Sequence, residues 1–187
     1  MSDAATTPRP KRVREFILFA ILAMLLLVPV RMYVARPFIV SGASMEPTFQ
    51  ENEYLVIDEL SYRFAKPQRG DIIIMRYPLD DSKFFIKRIV GMPNETLSLH
   101  DGKVVLLGKD GDVNSRLDEP YLAPGVKKEF QAATMAADEY FVLGDNRDES
   151  SDSRDWGPLR SKYIVGRVIA RIYPLPEAAI FPGKYSY

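Results

Sequence analysis

Fifteen consecutive apolar or small residues, Phe16 to Val30, follow a basic stretch that holds Arg9, Lys11, Arg12 and Arg14. A helix that is apolar all round needs either a large core or a bilayer. The run is about 22 Å long as a helix, short of the roughly 30 Å hydrocarbon core, and extension to Ala35 reaches that length. Arg31 then sits near one end, where its long side chain can reach the headgroups. The preceding cations place the amino terminus on the cytoplasmic side. A cleavable leader is the competing reading. Its best small-residue exit is Ala35, with Tyr33 two positions before it and Arg36-Pro37 after it, a poor cleavage context. The expected organisation is a cytoplasmic tail over 1–15, a transmembrane anchor over 16–35 and an extracytoplasmic domain over 36–187.

The remainder predicts a β-rich domain. Fourteen prolines and eleven glycines punctuate short runs rich in Val, Ile, Tyr and Phe. Strands are expected at Phe38–Val40, Tyr54–Glu59, Asp71–Tyr77, Phe84–Val90, Thr96–His100, Lys103–Leu107, Tyr140–Leu143 and Ile164–Ile172. Asp101-Gly102 reads as a hairpin turn between the fifth and sixth of these. Residues 108–138 read as loop and irregular structure. Twenty-five basic and twenty-five acidic residues balance to a formal charge of zero, so no electrostatic signal points to nucleic acid.

Directly after the anchor comes Ser41-Gly42-Ala43-Ser44-Met45-Glu46-Pro47-Thr48. A serine hydroxyl becomes a nucleophile only beside a base, yet the chain holds one histidine, His100, and no cysteine. Lys87 is the candidate base. In Phe84-Phe85-Ile86-Lys87-Arg88-Ile89-Val90, strand alternation puts Lys87 on one face with Phe85 and Ile89. Desolvation among such neighbours lowers a lysine that ordinarily titrates near about 10.4. An isolated strand lysine usually keeps its ammonium in water; the missing histidine is what raises Lys87 above that.

Gly144-Asp145-Asn146-Arg147-Asp148 leads into Ser150-Ser151-Asp152-Ser153-Arg154, a dense set of hydroxyls, carboxylates and guanidinia. It lacks the ligand spacing of an EF-hand. Asp110-Gly111-Asp112 begins that pattern but meets Ser115 where glycine is required and Tyr121 where glutamate is required. No metal or cofactor is expected.

Taken in order, the anchor, the Ser44 segment, Gly70-Asp71-Ile72-Ile73-Ile74, Lys87-Arg88-Ile89-Val90-Gly91-Met92-Pro93 and the Gly144–Arg154 segment resemble the bacterial type I signal peptidases. These are membrane-bound Ser/Lys proteases that remove signal peptides from exported proteins. The resemblance implies that Ser44 is the nucleophile and Lys87 the general base. It makes Ser150 the hydroxyl that orients the lysine amine, and Asp152 and Arg154 a structural pair near the site. It also implies a mainly β fold: a transmembrane helix, then an antiparallel β catalytic domain with a small β insertion, here a reduced one over 92–138. Some members carry a serine two residues before the nucleophile to help form the oxyanion hole. Here that position is Gly42, leaving the Ser44 N–H as the expected donor.

Phe38, Ile39 and Val40 are expected to pair with an extended substrate by strand addition. The implied partners are secretory preproteins with Ala-x-Ala sites and the lipid bilayer. The implied location is the cytoplasmic membrane, crossed once. A peptidase that matures a single pilus or conjugation protein is the alternative. A self-cleaving repressor with the same Ser/Lys chemistry would need a DNA-binding module and an Ala-Gly pair, and the chain has neither.

Overall fold

Short apolar runs broken by turns fold into strands as expected. The computed structural model describes residues 10–33, 36–123, 125, 126, 128–185 and 187. Among the described residues, the larger of two antiparallel sheets contains eight strands. They are β1 (Arg36–Ile39), β2 (Tyr54–Asp58), β3 (Ile72–Tyr77), β4 (Asp80–Gly91), β9 (Glu139–Leu143), β10 (Leu159–Arg160), β11 (Ile164–Tyr173) and β12 (Ala179–Ile180). Their order is β1-β2-β11-β3-β4-β9-β10, with β12 paired to β11.

The smaller sheet consists of β5 (Thr96–His100), β6 (Lys103–Leu107), β7 (Val113–Arg116) and β8 (Phe130–Thr134), in the order β7-β6-β5-β8. Asp101 and Gly102 both take positive φ in the β5–β6 turn, the geometry of a tight two-residue hairpin. β7 and β8 overturn the expectation of loop over 108–138. Both are edge strands, and β7, Val-Asn-Ser-Arg, is exposed at all four positions. Its pairing with β6 therefore leaves no apolar alternation in the sequence.

The middle of the large sheet is buried on both faces. Ile72 and Ile74 of β3 pack with Val40, Met45, Phe49, Leu55 and Ile57. Ile73 and Met75 pack on the opposite face with Ile89, Tyr140, Val142 and Leu159. Alternation thus explains why β3 is apolar at four successive positions, each contributing about 1.5–3 kcal/mol of gross burial. A third cluster, including Val90, Leu97, Leu99, Val104, Phe141 and Leu143, joins the two sheets.

Helix α1 covers Pro10–Tyr33. Its side chains are described for residues 13–25, about 20 Å of helix. Among the described residues no helix is long and apolar enough to cross a membrane. The expected span over 16–35 extends past the described side chains, and residues 1–9, 34 and 35 lie outside the described residues. Within 13–25, Phe16, Phe19, Leu22 and Leu25 are each at least 67% exposed.

Candidate active site

Ser44 lies in the turn between β1 and β2, and the core holds that turn from beneath. Met45 and Phe49, which follow Ser44, are fully buried in one cluster, and the Phe49 N–H donates to the Met45 carbonyl at 2.9 Å. The methionine after the serine is therefore an anchor of the loop. Gly42 sits at φ +87°, where an L side chain is strained, and no atom lies within 4 Å of where its Cβ would be. The turn uses glycine conformationally, and the space above it is open.

Lys87 arrives from the neighbouring direction on β4, a central strand between β3 and β9. Its Nζ is 2.8 Å from Ser44 Oγ and 2.9 Å from the Ile86 carbonyl oxygen. The residue is 3% exposed, and the Phe85 ring centroid lies 5.3 Å from the amine. Burial pushes the Lys87 amine down to about 8, against the pull of the Asp152 and Asp145 carboxylates toward the charged form. Asp152 itself is tied to Arg154 through Nε at 2.7 Å and a second guanidinium nitrogen at 2.8 Å. That neutralisation lets desolvation dominate at Lys87. A neutral amine at this distance from a hydroxyl can take its proton.

The turn after β9 braces Ser44. Asn146 donates its backbone N–H to the Ser44 carbonyl at 3.1 Å and its side-chain amide to the Ala43 carbonyl at 3.2 Å. Thr48 donates to Asp145 at 2.5 Å, and Asp145 is gripped by Arg88 through two bonds at 2.8 and 2.6 Å. Arg88 and Asp145 are almost completely buried, and Arg88 also donates to the Gly183 carbonyl at 2.7 Å. Helix α2 (Ser153–Trp156) is capped by Asp152, which also accepts the Gly144 N–H at 3.1 Å. Gly144 is a close-approach position: a Cβ there would lie 2.3 Å from Ser150 Oγ and 2.4 Å from the Ser44 carbonyl oxygen. Gly144→Ala is therefore expected to displace the serine turn and to slow acylation of Ser44 by a serine-directed probe about 100-fold. A labelling time course against the wild type checks this, and an unchanged rate would show that the turn absorbs the methyl.

Ser44, Lys87, Asp152 and Arg154 come together at one place. Ser150 is close to them, yet its buried Oγ has no hydrogen-bond partner and faces Gly144, while the lysine amine is held by the Ile86 carbonyl instead. Phe38 lines a cavity of about 60 Å³ together with Ser41, Ser44, Phe84, Phe85, Ile86 and Lys87. Of the other two expected substrate contacts, Ile39 is exposed and outside that lining, and Val40 packs into the core with Met45 and Phe49. Arg88, Asp145, Asn146 and Thr48 lie within the sequence motifs, where no role is expected of them individually. The available signal was alternation, which turns Arg88 to the face opposite Lys87 as a charge inside a buried strand.

The family described as signal peptidase, peptidase S26, matches residues 13–173. A probable signal peptidase I-2 from Synechocystis sp. is 36% identical over 164 residues, covering 84% of this chain and 72% of the relative. Signal peptidase I V from Bacillus subtilis is 34% identical over 167 residues, covering 82% of this chain and 95% of the relative. A crystal structure of a signal peptidase I from Enterococcus faecalis aligns with a TM-score of 0.39 at 27% identity, covering 55% of this chain and 97% of that one. With the family match running from within α1 to the last residue of β11, the chain belongs to the signal peptidase family, peptidase S26.

Proposed function

We propose that this peptidase removes amino-terminal signal peptides from exported preproteins, with Ser44 as nucleophile and Lys87 as general base. The observation that carries the reading is the 2.8 Å approach of a 3%-exposed lysine amine to a serine hydroxyl. Neutral Lys87 takes the Ser44 proton as Oγ attacks the scissile carbonyl. The resulting ammonium then protonates the leaving amine as the C–N bond breaks. Water, deprotonated by the same amine, attacks the acyl-enzyme and releases Ser44. The backbone N–H of Ser44 faces the developing oxyanion. Asp152 and Arg154 keep the lysine environment close to neutral overall. Ser150 orients the amine once its hydroxyl rotates off Gly144.

The substrate strand pairs with the outer edge of β1, which borders only β2 among the described residues. The cavity beside Ser44 is far below the roughly 300 Å³ at which ligand pockets begin, a size suited to the alanines of an Ala-x-Ala site. Residues 16–35 anchor the enzyme in the cytoplasmic membrane, crossing once, with the amino terminus cytoplasmic and residues 36–187 outside. The exposure of large apolar side chains over residues 13–25 of α1 and the cations before Phe16 support that reading.

Incubation of the detergent-solubilised protein with several preproteins, followed by sequencing of the new amino termini, tests it. Cuts after Ala-x-Ala segments in unrelated preproteins are expected. Cleavage of one pilus-type precursor alone would replace the reading with a dedicated maturase.

A further inference from the structure

Arg147 ties the smaller sheet to the turn that braces Ser44. It lies two residues past Asp145, and its Nε donates to the Gly144 carbonyl at 3.0 Å. Gly144 is the residue whose N–H is held by Asp152 and whose Cα abuts Ser150 and the Ser44 carbonyl. At its far end the guanidinium donates to the Gly102 carbonyl in the β5–β6 turn and pairs with Glu119 at 2.5 Å. Glu119 in turn accepts the β6 Val104 N–H at 2.8 Å and the Tyr121 hydroxyl at 2.7 Å. The Tyr121 ring stands 3.9 Å from the Arg88 guanidinium, which holds Asp145. A continuous, fully paired polar network therefore runs from the smaller sheet to both ends of the 144–147 turn.

Both charged side chains of the Arg147–Glu119 pair have no solvent exposure. A buried pair of this kind contributes little net stability against an apolar replacement, because desolvation offsets its attraction. What it does define is geometry, since a guanidinium fork with three fixed acceptors admits one placement. We propose that Glu119 and Arg147 are a positioning pair through which the smaller sheet sets the 144–147 turn, and with it the distance between Ser44 and Lys87. This rests on the reading of Ser44 and Lys87 as the catalytic pair. It assigns the insertion a part in catalysis through residues that touch neither substrate nor nucleophile.

The test uses the full chain in detergent, with the rate of Ser44 acylation by a serine-directed probe measured well below the melting temperature. Probe labelling of the wild type and its absence in Ser44→Ala test the catalytic reading separately. For the pair, Glu119→Gln removes the charge at constant shape, and Arg147→Lys keeps the charge without the fork. Each variant, while retaining a cooperative melt, is expected to acylate about 10- to 100-fold more slowly. The double variant is expected to be no slower than the slower single, as for residues acting along one route. Either folded variant acylating at the wild-type rate, with only its melting temperature lowered, overturns the proposal and leaves the pair purely structural.

Discussion

A Lys87→Met variant is expected to lose signal-peptide processing by about 10⁴-fold or more and, near pH 7, to melt at a higher temperature than the wild type. The loss follows from removing the proposed base, whose amine lies 2.8 Å from Ser44 Oγ. The stability gain follows from linkage. In the unfolded chain the lysine titrates near about 10.4, and in the folded protein burial pushes it down to about 8. Between those values the unfolded chain holds a proton that the native state has released, so wild-type stability rises with pH across that window. Below about pH 8 both states hold the proton, and burying the ammonium on folding costs about 3 kcal/mol more than burying the neutral amine. Methionine, of similar length and never charged, carries no such cost.

The gap in melting temperature between variant and wild type is thus expected to be larger at pH 7 than at pH 10, and melts at both values measure it. The same titration predicts that wild-type processing climbs with pH and levels off above about 8. Ser44→Ala should be equally inactive while keeping the wild-type dependence of melting on pH, because Lys87 is still present. Substantial processing by Lys87→Met sinks the base assignment. A melting gap that is the same at pH 7 and pH 10 sinks the desolvated-lysine account.

Ser44 and Lys87 were legible as candidates because each sits in a short local pattern, while the resemblance and the scarcity of histidine paired them across 43 residues. The Ser-Met segment is a short turn, and the alternation Phe85, Lys87, Ile89 is visible within seven residues. The strands built from short apolar runs between turn residues were legible for the same reason. β7 and β8 were not, because edge strands with polar or small residues draw their order from a partner strand and leave no periodic trace. The polar network was also hidden. Arg88 and Asp145 are 57 residues apart, and Arg147 and Glu119 are 28 apart, so no local pattern announces either pair. Ser150 marks a different boundary. Its place in a motif implied a bond to the lysine, while the rotamer that would make or break that bond depends on the packing at Gly144.

Removing the Asp145 carboxylate is expected to damage the enzyme twice, and the two effects separate. Asp145→Ala leaves the Arg88 guanidinium buried without its counter-charge, at a cost of about 3 to 5 kcal/mol. Urea unfolding read as a midpoint shift at constant slope measures that cost. The alanine also takes from Thr48 the acceptor that fixes the Ser44 turn, so acylation by the molecules that remain folded should slow as well. An Arg88→Met/Asp145→Leu double variant distinguishes the two. Replacing a buried pair by apolar residues of similar size is close to neutral, so this variant should recover at least half of the lost stability, the Gly183 carbonyl left without its donor accounting for the rest. Catalysis should not recover with it, because Thr48 still has no carboxylate to hold. If stability and acylation return together, the pair serves the fold alone and the Thr48 contact is incidental. If stability returns and acylation does not, Arg88 and Asp145 are retained because they set the position of the nucleophile.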